Sequence, residues 1–201
     1  ADIFFGRKQA IEDLSAQILA HKLVIINGKS GSGKSSLMHA GVTPKLLHNN
    51  HLVIHITDYR ATPVNTIQDA IQGGLESPLV IFLDQFERFF IYLPLSDQQQ
   101  FTAALRDWLA ADKTNVRFVI AIRMDFFGRL GEFQPVIPNL YQQSAIFTLL
   151  LLTRAEAREA IEGPLETLGI RIVYEKALVD TLLDSLLEEA EIRTRATANR
   201  V

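Results

Sequence analysis

The chain reads as an α/β protein: a three-layer arrangement with a mostly parallel five-stranded sheet between helices, followed by a small all-α segment. Short aliphatic runs alternate with longer amphipathic stretches as far as Leu152. The runs are apolar throughout rather than every second residue, which is how strands covered on both faces read. With 201 residues, 48% hydrophobic and 21% charged, the chain can bury such a core, and a mostly disordered protein is excluded.

The elements follow in order. Leu23 to Asn27 is the first strand, closed by Gly28, and a helix is expected from Lys34 to Leu47. Leu52 to Thr57 is the second strand, followed by a helix over Val64 to Ile71 that Gly73 and Gly74 stop. Leu79 to Leu83 is the third strand and ends on Asp84. Ser96 with Gln99 three residues on forms a capping box for a helix reaching Ala111. Val116 to Ile122 is the fourth strand. The glycines, prolines and asparagine of Phe126 to Asn139 predict a loop with room for one short helix. Ile146 to Leu152 is the fifth strand. Thr153-Arg154-Ala155-Glu156 is a second capping box, opening a helix to Leu168 that Gly169 ends. A last helix covers Ala177 to Leu187, and a charged tail from Glu188 is expected to fray. The expected domains are therefore 1–152, a helical lid-like segment 153–187, and the tail 188–201.

Composition narrows the chemistry. A formal net charge of −3 argues against tight binding of nucleic acid by bulk electrostatics. The absence of cysteine removes disulfides, thiolate catalysis, iron–sulfur clusters and cysteine-held zinc, and fits a reducing compartment. The longest apolar run, Ala145 to Leu152, is far short of the roughly 20 residues that span a bilayer. The N-terminus lacks the pattern of a secretory signal and begins without Met, so a processed chain or an excised fragment is expected, cytoplasmic and with no membrane partner.

One motif carries the chemistry. Gly28-Lys29-Ser30-Gly31-Ser32-Gly33-Lys34-Ser35 fits G-x-x-x-x-G-K-[ST] at every fixed position, directly after a buried strand and directly before a helix. Successive backbone N–H groups of such a turn wrap a phosphate chain at a positive helix terminus. Gly28 to Ser36 are thus the candidate cradle, Lys34 reaches the β- and γ-phosphates, and the Ser35 hydroxyl is a ligand for Mg²⁺. Asp84, at the carboxyl edge of the sheet, is the second metal-side group. Glu87 is the candidate for orienting the attacking water, and Arg123, after the fourth strand, for contacting the γ-phosphate. The bland alternative for Arg123 is an ion pair with Asp125 or Glu132. Arg129 could act in trans, although nothing in the spacing requires it.

The remaining candidates read as structural. His21, His39, His48, His51 and His55 form no metal-binding pattern and are assigned to the surface or the sheet. Phe86, Phe89, Phe90 and Tyr92 are expected to pack the helix after the third strand, since only Arg88 is interleaved with them.

With these motifs the sequence resembles the STAND branch of P-loop ATPases, and within it the bacterial novel STAND NTPases, from Phe5 to Leu187. The resemblance rests on Phe5-Gly6-Arg7, the stretch from Gly28 to Leu46, Asp84-Gln85-Phe86-Glu87, and Arg123 to Leu130. It implies an ASCE/AAA+-like sheet, and it implies that Phe5, Gly6 and Arg7 line the base end of a pocket for ATP or ADP with Mg²⁺. It also implies a switch: ADP held in a closed state, exchange for ATP, nucleotide-dependent homo-oligomerisation, slow hydrolysis in signalling or defence, and sensor and effector domains on the same full-length chain. In one respect the sequence departs from the family: Gly163-Pro164 is not the Gly-x-Pro element that touches nucleotide there. The rival readings are an AAA+-like ATPase working on nucleic acid, a non-hydrolysing module that nucleotide merely stabilises, and, more distantly, a small-molecule kinase.

Overall fold

A computed structural model describes residues 4–73, 77–111, 115–167, 174–175 and 177–186. The chain divides into two compact units, one of residues 9–151 and the other of residues 1–8 with 152–201.

The larger unit is built on five strands: β1 (Leu23–Gly28), β2 (Leu52–Ile56), β3 (Leu79–Leu83), β4 (Val116–Arg123) and β5 (Ser144–Thr148). Their order across the sheet is β2-β3-β4-β1-β5, and every pairing is parallel. β4 therefore lies between β1 and β3, which puts the ends of β1, β3 and β4 side by side. β1 and β3 are buried at every position, as their unbroken aliphatic runs predict.

Residue parity assigns the layers. Leu23, Ile25, Ile81, Leu83, Phe118 and Ile120 join one large cluster. That cluster also takes in α4 (Val64–Gln72), α5 (Glu87–Tyr92), α6 (Leu95–Ala110) and α7 (Leu140–Gln143). The alternate positions, among them Val24, Ile26, Val80, Phe82 and Val119, are equally buried on the opposite face. There lie α1 (Lys8–Ala20) and the helical run after β1, which bury Leu14, Ile18, Leu37, Met38, Val42 and Leu46. The arrangement is the expected three-layer α/β sandwich.

Several elements differ from the sequence expectation. α1 was not expected; its signal is Leu14 and Ile18, four apart and buried on one helical face. The helix after Gly33 is continuous but not uniform. It runs as α2 (Lys34–Ser36), a π-helical stretch (Leu37–Val42) and α3 (Thr43–His48). The Thr43 N–H reaches back to the Met38 carbonyl, five residues away. Pro44 gives the physical reason: its ring would collide with the carbonyl one α-turn back, and a widened turn relieves that. α6 begins at Leu95 behind Pro94, and Ser96 spends its hydroxyl on Asp97 instead of capping the helix. The stretch expected to be a loop with one short helix contains a ten-residue 3₁₀ helix that starts earlier (Met124–Phe133) and buries Leu130 and Phe133. β5 lies earlier than expected and ends at Thr148, although the Leu149 N–H still donates to the Asn27 carbonyl at 2.8 Å. Beyond it Leu150 is 70% exposed, so the apolar run there is not strand.

Phe86, Phe89 and Phe90 are buried with Phe101 and Phe133 in a continuous set of ring contacts. Tyr92 is the exception: it is 58% exposed at the end of α5 and packs no core.

In the smaller unit, α8 (Arg154–Thr167) opens with the expected reciprocal box. The Thr153 N–H donates to Glu156 Oε2 at 2.7 Å and the Glu156 N–H to Thr153 Oγ1 at 3.3 Å. Residues 177–186 are helical, bury Val179 and Leu183, and hold α8 through Arg154 and Arg158, which pair with Asp180. Gly6 has φ 75°, and a Cβ on it would stand 2.3 Å from the Glu156 carbonyl oxygen. Gly163, inside α8, faces the Phe5 ring, so both glycines are required for the N-terminal segment to lie against this helix. Gly74, Leu168, Gly169, Leu187 and the tail from Glu188 lie outside the described residues.

Candidate nucleotide-phosphate site

The site grows from the turn between β1 and α2. Gly31 and Gly33 take φ of 78° and 89°, a left-handed backbone that only glycine adopts without strain. The direction in which a Cβ would project is open at both, so the loop leaves room on that side. Gly28 is constrained differently: a Cβ there would meet the Leu149 carbonyl oxygen at 2.6 Å and Ser32 Oγ at 2.8 Å. The Ser32 N–H closes the turn on the Lys29 carbonyl at 3.2 Å, and Leu37 N–H donates to Gly33 at 2.8 Å to start the helix. Ser32 is buried, while Lys29, Ser30 and Gly31 are exposed on the loop.

Lys34 arches over this loop. Its Nζ donates to the carbonyls of Gly28 at 2.9 Å and Lys29 at 3.1 Å. Burial draws its pKa below the usual ammonium value, opposed by the nearby charges of Glu87 and Asp84. A lysine spending its protons on loop carbonyls is a cation available to a stronger acceptor such as a phosphate oxygen.

β3 delivers the carboxylates. The Asp84 N–H donates to Ile56 and the Phe86 N–H to Ala121, both at 2.9 Å, which pins the strand end between its two neighbours. Asp84 is only 2% exposed. A buried carboxylate needs donors, and Oδ1 has two: Ser35 Oγ at 3.0 Å and the Gln85 N–H at 2.8 Å. Gln85 adopts φ 51°, a strained conformation for a residue with a side chain, at the turn that aims Asp84.

Glu87 is the first residue of α5, and its Oε2 accepts from the backbone N–H of Arg123 at 3.3 Å. Arg123 closes β4. Its guanidinium pairs with Asp125 at 2.6 Å, lies 5.5 Å from the centre of the Phe126 ring, and is 39% exposed. It therefore stands at the expected edge while engaged in the ion pair that was its alternative. Arg129 pairs with Glu132 and stacks 4.7 Å over Phe90.

Lys34, Ser35, Asp84, Glu87 and Arg123 thus share the carboxyl edge of β1, β3 and β4, brought together by the sheet order. Phe5, Gly6 and Arg7 belong to the other unit. There Arg7 is buried, its pKa lowered by burial against the raising effect of Glu156.

Two histidines adjoin the same carboxylate. His39, in the π-helical stretch, has Nε2 3.9 Å from Asp84 Oδ2 and stacks on His55 with ring centres 3.8 Å apart. His55, on β2, stacks in turn on Phe82 and shares a hydrogen bond with Thr43 Oγ1 at 2.9 Å. Burial, with His39 adding to it, lowers the His55 pKa to about 4. No local spacing announces this pair, because it joins the helix after β1 to a separate strand; Pro44 and its distorted helix are the nearest signal.

Among the described residues no three His, Asp or Glu side chains converge as a self-sufficient metal site. One hydroxyl and one carboxylate fit Mg²⁺ as it is held beside phosphates, where oxygens of the nucleotide and water complete the shell. No helix among the described residues is long and apolar enough to cross a membrane.

A family model described as Novel STAND NTPase 1 matches residues 1–192. Among solved structures, a Walker-type ATPase of Pyrococcus abyssi superposes with TM-score 0.61 at 11% identity, covering 90% of this chain and 63% of that one. The ORC2 protein of Aeropyrum pernix, in its ADPNP–ADP complexes, gives TM-score 0.55 at 16% identity over 80% of this chain and 51% of that one. A chain of the E. coli MS115-1 HORMA:CdnC:Trip13 complex gives 0.60 at 12% identity, over 90% and 73%. At these identities the likeness is one of fold. The chain spans less than two thirds of the first two structures' own length. A search of curated proteins found no match.

Proposed function

Because the chain belongs to the novel STAND NTPase 1 family, we propose that it is the nucleotide-switch module of a larger protein, binding ATP or ADP with Mg²⁺ and hydrolysing ATP slowly. The observation that carries the reading is the convergence of Ser35 on Asp84 at 3.0 Å beside a loop whose left-handed glycines leave its outer side open.

In this reading backbone N–H groups from Gly28 to Ser36 bind the phosphates, and Lys34 exchanges its loop carbonyls for β- and γ-phosphate oxygens. Ser35 and Asp84 hold Mg²⁺, which when bound neutralises charge on the β- and γ-phosphates. Glu87 orients a water and accepts its proton as the oxygen attacks the γ-phosphorus in line. The bond to the β-phosphate oxygen breaks, leaving ADP and inorganic phosphate. Arg123 leaves Asp125 for the γ-phosphate, so that its pairing reports whether ATP or ADP is bound. The contact of Phe5, Gly6 and Arg7 with adenine rests on the family resemblance alone. So do a nucleotide-dependent oligomer, sensor and effector regions on the full-length chain, and a cytoplasmic site of action. A switch works only through differential binding, so the γ-phosphate must favour one conformation over the other.

The test is to denature freshly purified protein and identify the nucleotide released, with Lys34→Ala as the control. Bound ADP in the wild type, absent from Lys34→Ala, is the expected result, and an apo protein that takes up neither MgADP nor MgATP overturns the reading. Glu87→Gln is expected to retain binding and lose turnover by about 10²-fold or more, the usual contribution of a general base.

A further inference from the structure

Asp84 uses its two carboxylate oxygens unequally. Oδ1 accepts both the Ser35 hydroxyl and the Gln85 N–H, whereas Oδ2 has His39 Nε2 at 3.9 Å. That distance exceeds a hydrogen bond and is closed by a small ring movement or bridged by one water. His39 is 47% exposed and would ordinarily be free to turn. Here it is stacked at 3.8 Å on His55, which is itself fixed between the Phe82 ring and Thr43. The π-helical stretch supplies the placement: a widened turn shifts the azimuth of the residues it contains, and such turns recur at functional positions. Thr43, which opens α3 beyond that stretch, anchors His55 from the same helical run.

We propose that His39 is a positioning residue for the metal: resting on His55, it holds Oδ2 of Asp84 and so sets the orientation in which that carboxylate meets Mg²⁺. Groups that orient a ligating carboxylate affect metal affinity although they never touch the ion. The proposal deepens the nucleotide-switch reading and rests on it.

The experiment measures binding, not turnover, on the full chain with a fluorescent ADP analogue as the probe. Two quantities are read: the Mg²⁺ concentration that half-saturates the complex at fixed ADP, and the ADP Kd at saturating Mg²⁺. His39→Ala is expected to raise the first by about tenfold and to leave the second and the melting temperature unchanged. His39→Gln, whose amide nitrogen reaches about as far as Nε2, is expected to recover most of the loss. An unchanged Mg²⁺ requirement in His39→Ala overturns the proposal while leaving the nucleotide reading intact. A joint fall in Kd quality and melting temperature that Gln does not rescue also overturns it, because that is the signature of a packing role. If the wild type binds no ADP at all, the nucleotide reading fails and the proposal falls with it.

Discussion

Asp84 was legible in the sequence because everything that marks it is local: five apolar residues, a carboxylate, then a helix. The same holds for Gly28 to Ser35, Glu87 and Arg123. His39 and His55 were not legible, since their meeting depends on β2 passing beside the helix that follows β1, and the interval between them encodes nothing about that. His55 nonetheless has a measurable consequence. Its pKa in the folded chain is about 4, lowered by burial first and then by His39, and opposed by Asp84. In the unfolded chain it returns to about 6.5. Above pH 6.5 the ring is neutral in both states and adds no pH dependence. Between about pH 6.5 and 4 the unfolded chain takes a proton that the folded one refuses, so stability falls as pH falls. The slope stays below about 1.4 kcal/mol per pH unit, because the two states differ by less than one proton at this ring, and solvent screening of a half-buried group narrows the window further. Urea denaturation across this window is expected to show the loss in wild type and a shallower one in His55→Phe. Identical slopes would mean that His55 is not the group responsible.

At the scale of elements, type was easier to read than boundaries. The strand runs placed β1 to β4 within a residue or so, because an aliphatic segment buried on both faces has no competing reading. β5 was misplaced because the leucines after Thr148 look like strand although the chain has already left the sheet, and Leu150 and Leu151 are exposed. The expected cap at Ser96 failed for a different reason: Pro94 fixes an extended entry two residues earlier, and the helix starts from there. α6 earns its place through Phe101, fully buried against Phe86, Phe89, Phe133 and Trp108. Phe101→Ala is therefore expected to cost about 3–5 kcal/mol, through lost transfer energy and a cavity that four fixed rings cannot fill. A urea midpoint close to wild type would show that the cluster collapses to fill the space.

For the molecule as a whole, the sequence indicated a parallel sheet, and the family resemblance indicated its kind. The strand order itself had no signal in periodicity, since which strand lies beside which is decided by packing over long separations. That order is what assembles the site from three strand ends. Nucleotide binding should then be felt by the larger unit as a global gain in stability. At MgADP one hundred times above its Kd, linkage gives about 2.7 kcal/mol, or a rise in melting temperature of about 5–10 °C for a chain of this size. Lys34→Ala should abolish the shift. A rise of equal size in that variant would place the ligand elsewhere.

The position of β1 in the sheet also bears on how the chain is made. Its two neighbours, β4 and β5, start at Val116 and Ser144, so on the ribosome the strand that leads into the glycine-rich turn emerges long before either exists. At about 5–20 residues per second, it waits roughly 5 to 20 seconds with both hydrogen-bonding edges unpaired. β2 and β3 can meet each other in that interval, while β1, aliphatic from Leu23 to Ile26, must stay out of reach of other nascent chains. The segment that leads into the glycine-rich turn is thus the strand left longest without its partners during synthesis.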